Sequence, residues 1–181
     1  KDFYIVCKTF KIKPSFPDEV LKEAEVIAFI PENEIKNRKD YRNHIVFTID
    51  GEDAKDLDDA VGIYEDTDYT TLFVHIADVS FYVKEGSLLD KEAYKRGTSI
   101  YLADRVVPML PKIISNGICS LNPNEDRLSM SVEITFDKNF NITNYKIEPG
   151  IIKSCRRFTY EEVEEIINNK KKDDLYNILK S

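Results

Sequence analysis

A chain of 181 residues with 42% apolar side chains is long enough to bury a core and fits one domain, or one domain with a helical appendage. Its 33 acidic against 26 basic residues leave a formal charge of -7, which taken alone speaks against broad, unspecific binding to nucleic acid, although carboxylates that hold cations count in that sum. No apolar run approaches the ~20 residues of a membrane span, and the wide spacing of Cys7, Cys119 and Cys155 argues against a disulfide framework or a zinc site and predicts reduced thiols in a cytoplasmic setting. No basic-then-apolar leader opens the chain, but Lys1 at one end and KKDDLYNILKS at the other read as cuts through a longer protein.

The opening KDFYIVCKTFKIK places Phe3, Val6, Cys7 and Phe10 at helical spacing and predicts a short helix, although its β-branched and aromatic content would also suit a strand. Ser15, Pro17 and Asp18 signal a second helix, with Val20, Leu21, Ala24 and either Ile27 or Ala28 on its apolar face, an end near Phe29 and Pro31 as the stop. Residues 32–43 are polar and are expected to be a surface connection, so that residues 1–42 make a helical lead-in. Residues 43–50, 60–64 and 70–77 read as strands, with a turn at 66–69, and their adjacency favours antiparallel pairing.

Ser87 and Asp90 form a capping signal for a helix from Leu88 to Arg96. Residues 101–127 hold prolines at 108, 111 and 123 with Asn116-Gly117, which forbid a long regular element in a stretch apolar enough to pack on the core. Strands are expected over 128–137, 142–148 and 151–158, with Pro149-Gly150 between the last two. Thr159 and Glu162 predict a capping box, Val163, Ile166 and Ile167 supply the inner face of its helix, and the polar run NNKKKDD precedes a last short helix. The sum is an α+β fold, a mixed and mainly antiparallel sheet flanked by helices.

Between the first two strands, IVFTIDGEDAKDLDDAV gathers Asp50, Glu52, Asp53, Asp56, Asp58 and Asp59 around one cation, Lys55. Like carboxylates held close raise one another's pKa unless something positive sits among them, and the usual partner of clustered oxygen ligands is a hard divalent cation. A strand would turn Asp59 away from Asp56 and Asp58, and a helix would turn Asp58 away. Only an irregular turn converges them, with Asp50 delivered from the end of the preceding strand, and one or two Mg2+ ions there would suit phosphoryl transfer. The EF-hand pattern fails, because Gly51 falls second from Asp50 instead of sixth and Ala60 stands at the fifth position from Asp56. The DxDD string also resembles the proton donor of certain terpenoid cyclases, but those are all-helical. A solvated acidic turn is the plain alternative.

Three long strings, FTIDGEDAKDLDDAV, FVHIADVSFYVKEGSLLDKEAYKRGTSIYLADRVVPMLP and SNGICSLNPNEDRLSMSVEI, resemble the catalytic domain of the RNase II and RNase R family of exoribonucleases, nearer to its bacterial RNase R branch. The resemblance spans residues 16–162 and implies that residues 43–181 are the N-terminal part of an RNB-type catalytic domain. It implies hydrolysis of single-stranded RNA from the 3′ end with release of nucleoside 5′-monophosphates. Mg2+ would be the cofactor, with Mn2+ as a substitute, and Asp50, Asp56, Asp58 and Asp59 the catalytic, metal-holding aspartates, a set that leaves out Glu52 and Asp53.

Tyr101 and Tyr160 match family tyrosines that contact nucleotides near the 3′ end, although from the sequence alone each reads as an amphipathic core tyrosine. Arg105 and Arg127 are candidates for RNA contact, with a structural ion pair at least as natural for each. His75 faces with Phe73 and Ala77 and reads as a hydrogen-bonded structural histidine, with Asp78 after it as a brace for the site. Phe81 and Ala103 depart from the histidine and proline usual in the family. Family members carry oligonucleotide-binding barrels before this region and an S1 barrel after it, so the expected partners are those domains of the same parent chain and the RNA 3′ end. The protein is expected to be a monomer off the membrane. The later catalytic half, with its glutamate and arginine, has no counterpart here, so the fragment alone is expected to be nearly inactive. Two other classes stay open, a non-catalytic RNA-binding module and a calcium-stabilised structural domain.

Overall fold

Alternation along residues 70–77 sets the architecture: Thr71, Phe73, His75 and Ala77 are buried while the residues between them reach solvent, the two-residue period of a strand with unlike faces. The computed structural model describes residues 2–168 and 173–180. In chain order its elements are α1 (Asp2–Thr9), α2 (Asp18–Ile27), α3 (Glu32–Asn37), β1 (Lys39–Asp40), β2 (Phe47–Asp50), β3 (Asp59–Glu65), β4 (Thr70–Ala77), α4 (Val79–Tyr82), α5 (Leu88–Arg96), β5 (Ile100–Tyr101), β6 (Val106–Val107), a π-helical turn (Ile113–Ile118), β7 (Asp126–Phe136), β8 (Ile142–Lys153), β9 (Arg156–Thr159), α6 (Tyr160–Ile167) and α7 (Tyr176–Lys180). They divide into two compact units, Lys1–Phe29 with Val79–Gly117, and Ile30–Asp78 with Ile118–Ser181. No helix among the described residues is long and apolar enough to cross a membrane.

The second unit is built on a sheet that has seven strands among the described residues, in the order β1-β8-β7-β4-β3-β2-β9. The central pairs are antiparallel, as expected, while the outer pairs β1/β8 and β2/β9 are parallel. On one face, Phe47, Phe158 and Ile166 form a buried cluster that Val163 of α6, Leu175, and Ile178 and Leu179 of α7 pack against. The capping box at Thr159 and Glu162 is present. Of the expected polar run before α7, residues 169–172 lie outside the described residues.

Residues 32–43, expected as a surface connection, instead contain α3, β1 and the fully buried Tyr41. One aromatic in a polar run is enough to anchor it. The Tyr41 ring packs on Gly150, where a Cβ would come within 3.0 Å of two ring carbons, and its hydroxyl donates to Glu133 at 2.6 Å and Glu148 at 3.2 Å. The first core strand starts at Phe47 rather than at residue 43, because the chain turns between Tyr41 and His44, whose N–H donates to the Tyr41 carbonyl at 3.0 Å. β8 runs unbroken through Pro149-Gly150, since its pairing with β1 begins only at Gly150 and leaves the proline where no donor is needed on that side. The strand expected over 151–158 is two strands, parted at Ser154-Cys155, and the second pairs with β2 at the far end of the sheet.

In the first unit, Ser87 Oγ caps α5 by accepting from the Asp90 N–H at 3.1 Å, and Gly97, at a φ of 75°, closes it by donating to the Ala93 carbonyl at 2.8 Å. The stretch rich in proline, which runs on beyond this unit, holds the end of β5, the two-residue strand β6 and the π-helical turn before it enters β7 at Asp126.

His75 is the structural histidine its strand position predicts. It is fully buried, with Nδ1 2.8 Å from Ser131 Oγ, which lies 3.0 Å from Ser129 Oγ, and with the Tyr41 ring edge-on at 5.0 Å. Burial, with His44 adding, holds its pKa down at about 4. The unfolded chain therefore takes up a proton below the ordinary value of about 6.5 while the folded chain resists it, so stability falls as the pH is lowered from the upper of those values to the lower, by on the order of 3 kcal/mol in total. Urea unfolding measured from pH 7 to pH 4 is expected to show that slope, and His75→Asn is expected to flatten it. Arg38 and Asp78 form an ion pair at 2.7 Å with both side chains 6% exposed. Arg38→Met alone is expected to cost about 3–5 kcal/mol, and the double change Arg38→Met with Asp78→Leu clearly less, because a lone buried charge is worse than none.

Candidate active site

The acidic segment is an irregular loop from the end of β2 to the start of β3. Asp50 is the last residue of β2, Asp59 the first of β3, and Asp56 and Asp58 lie between them. Backbone and apolar anchors hold this loop. Leu57 is 2% exposed, its N–H donates to Ser120 Oγ at 3.0 Å, and its carbonyl accepts from the Leu121 N–H at 2.9 Å. Ser120 Oγ also donates to the Lys55 carbonyl at 3.3 Å, and the Asp58 carbonyl accepts from Ala77 N–H at 2.8 Å. With Leu57 drawn inward, the flanking Asp56 and Asp58 are left toward solvent.

Two arginines fasten the surroundings. Arg127, a candidate for RNA contact, is buried, donates from Nε to the Ser120 carbonyl at 2.7 Å and pairs with Glu125, so it holds the segment that pins Leu57. Arg157 had no signal in the sequence. Its Nη2 donates to the carbonyls of Gly51 at 2.9 Å and Glu52 at 2.8 Å, fixing the start of the loop from β9. The signal that could have found it is the parallel register of β2 with β9, which sets Thr48 opposite Arg157 and Asp50 opposite Thr159. That register also places Tyr160, exposed at the start of α6, one residue beyond the partner of Asp50. Tyr101 and Arg105 belong to the other unit. Tyr101 is exposed on β5, while Arg105 pairs with Asp104 at 2.6 Å and lies over the Phe3 ring.

Among the described residues, none of the four aspartate side chains accepts a hydrogen bond or forms an ion pair. They feel one another nonetheless. Desolvation raises the pKa of Asp50, with Asp59 and Asp56 adding and Arg157 opposing; desolvation also raises that of Asp58, with Asp56, Asp59 and Asp50 adding. Burial pushes the nearby Cys119 thiol up to about 12, helped by the charges of Asp58 and Asp78. Asp78 itself is held by Arg38 and braces the chain at the end of β4.

Among the described residues no three His, Cys, Asp or Glu side chains form a metal cage. The donor set is an open, all-oxygen wall with unused lone pairs. Mg2+ suits such a wall, since it keeps several waters and usually takes only one or two carboxylates together with substrate phosphate.

The model of the RNB domain family matches residues 38–180. The chain belongs to the RNB domain family. It is 54% identical to Ribonuclease R 1 of Lactococcus lactis over 169 residues, 92% of this chain and 21% of that protein. Its fold superposes with a TM-score of 0.88 and 35% identity on Mycoplasma genitalium RNase R in complex with ribose methylated single-stranded RNA, over 98% of this chain and 29% of the other. The same enzyme in complex with double-stranded RNA gives 0.83 at 38% identity over 88% of this chain and 29% of the other. This RNB chain thus spans about a quarter of the length of the relatives it matches.

Removing the hydroxyl that pins the loop tests the anchoring. Ser120→Ala is expected to cost about 1–2 kcal/mol, because the buried Leu57 N–H loses its acceptor. Millimolar Mg2+ is expected to raise the thermal midpoint of the wild type slightly and to do nothing for Asp58→Asn, as read by calorimetry with and without the ion.

Proposed function

We propose that this chain supplies the aspartate wall of a hydrolytic, Mg2+-dependent exoribonuclease that degrades single-stranded RNA from 3′ to 5′ and releases nucleoside 5′-monophosphates. The observation that carries the reading is the loop of four carboxylates, anchored by its backbone yet unspent in hydrogen bonds, in a chain of the RNB family. Asp50, Asp56, Asp58 and Asp59 would hold one or two Mg2+ ions, with Mn2+ as a substitute. When bound, the ion supplies positive charge to the scissile phosphate and its attacking water.

The chain's own residues do the rest. Desolvation and the charges of the neighbouring carboxylates raise the pKa of Asp50 and Asp58, and positive charge among them would relieve that repulsion. The carboxylates not engaged with the ion orient the water. Tyr160 offers a flat face beside the end of β2 for a base near the 3′ terminus, and Tyr101 offers one on the first unit. Stacking of this kind is worth about 1–3 kcal/mol per base and does not depend on sequence, which suits a substrate consumed one nucleotide at a time. The remaining RNA path would come from the oligonucleotide-binding and S1 domains of the parent. A monomer in the cytoplasm completes the reading, supported by the free thiols of Cys7, Cys119 and Cys155.

The test is degradation of single-stranded RNA labelled at either end by the full-length protein, across a Mg2+ titration. The 3′ label is expected to leave first, as a mononucleotide, and only when Mg2+ is present. Asp58→Asn and Asp59→Asn are each expected to slow cleavage by about 10²-fold or more while RNA binding persists. Cleavage without divalent ions, or an undiminished rate in both variants, would overturn the assignment.

A further inference from the structure

The first unit contains a cavity of about 360 Å³ lined by Phe10, Lys11, Ile12, Lys13, Glu92, Lys95, Arg96, Thr98, Ile100, Val107 and Pro108. We infer that this cavity is a binding site for one nucleotide unit of single-stranded RNA, its phosphate held by Lys11, Lys13 and Lys95 and its base laid against Phe10. The site lies apart in sequence from the aspartate loop, and its choice of RNA as the ligand rests on the function proposed above.

Charge comes first. The whole chain has a net charge of -7, yet the unit holding this cavity has 11 basic against 9 acidic residues. Around the cavity itself stand four cations and one carboxylate. Arg96 and Glu92 cancel each other in a buried pair at 3.0 Å, with side chains 8% and 7% exposed. Lys11, Lys13 and Lys95 remain, all exposed, and among the described residues none of the three forms an ion pair or a hydrogen bond through its ammonium group. Three unpaired ammonium groups around one concavity repel, and an anion relieves that repulsion.

The frame is rigid as well as charged. Arg96 donates to the carbonyls of Lys13 at 3.1 Å, Ser15 at 2.6 Å and Pro108 at 3.3 Å, and its guanidinium stacks 3.7 Å from the Phe16 ring centre. That fork ties the irregular segment that carries Lys13 to the end of α5, from which Lys95 projects. Lys11 sits at a φ of 56°, a left-handed turn that ends α1 and brings Lys11 and Lys13 to the same cavity. Arg96 thus builds the floor and the lysines are the contacts.

The walls identify the class of anion. A site for inorganic phosphate or a carboxylate has no use for Ile12, Ile100 and Val107, nor for Phe10, which is 72% exposed beside the cations. A phosphate joined to a flat apolar base uses both parts, and the volume falls in the range of ~300–1,000 Å³ typical of small-ligand sites. A ring exposed next to lysines is the arrangement by which proteins hold single strands without reading their sequence.

The experiment measures binding of a fluorescent oligoribonucleotide to the 181-residue chain by anisotropy, in EDTA, over a range of salt. The triple change Lys11→Gln, Lys13→Gln and Lys95→Gln is expected to weaken binding at least tenfold and to reduce the slope of log K against log salt by about 0.7, as loss of one neutralised phosphate on a single strand requires. Phe10→Ala is expected to weaken binding about tenfold with the salt slope unchanged. All four positions are exposed, and an unaltered thermal midpoint verifies the fold of each variant. Wild-type affinity and slope in the triple variant would overturn the assignment. Displacement of the RNA by poly-aspartate as readily as by unlabelled RNA, with no effect of Phe10→Ala, would also overturn it in favour of a generic acidic partner. Because no divalent ion is present, the result is independent of cleavage: loss of nuclease activity in the Mg2+ assay with intact binding here would sink the catalytic reading alone.

Discussion

Four like charges held within reach of one another are the constraint on which the second unit is organised. At a protein surface two carboxylates 4 Å apart repel by roughly 4 kcal/mol, so a free loop with this composition would spread. Here the spreading is opposed by groups that carry no charge into the site: the buried Leu57 side chain, the Ser120 hydroxyl, and backbone hydrogen bonds to Leu121 and Ala77. Arg157 grips carbonyl oxygens and leaves the carboxylates free. Anchoring through the main chain keeps the lone pairs available for something positive that the chain itself does not provide.

The same economy appears in the interior. His75 with Ser131 and Ser129, and Tyr41 with Glu133 and Glu148, make two hydrogen-bonded groups that meet where the Tyr41 ring lies edge-on to His75, and the buried pair Arg38 and Asp78 ties the segment before β1 to the end of β4. Such groups are expensive to bury and yield little net stability, but each admits few alternatives in geometry. They fix where β4 ends, and the end of β4 pairs with the start of β3, where the last aspartate sits.

Much of this was legible before the fold was known. The alternation in β4, the caps at Ser87 and Thr159, the irregular loop at 51–58 and the structural role of His75 all follow from local chemistry. Local chemistry could not show why the polar run 32–43 dives inward at Tyr41, because the cause is a glycine more than a hundred residues away. Nor could it show Arg157, whose position depends on a parallel pairing between β2 and β9 across a similar distance. Nor does anything local connect Lys11 and Lys13 with Lys95, which the fold brings to the same hollow.

That parallel pairing also sets an order of events. Asp50 through Asp59 leave the ribosome about a hundred residues ahead of Arg157 and Thr159, and no antiparallel neighbour can substitute for β9 on that side of β2. Contacts of such separation in sequence form late, since a long loop must close before they form. A growing chain has the anchors at Ala77, Ser120 and Leu121 before it has β9, so the grip of Arg157 on the start of the loop is the last of these restraints to arrive.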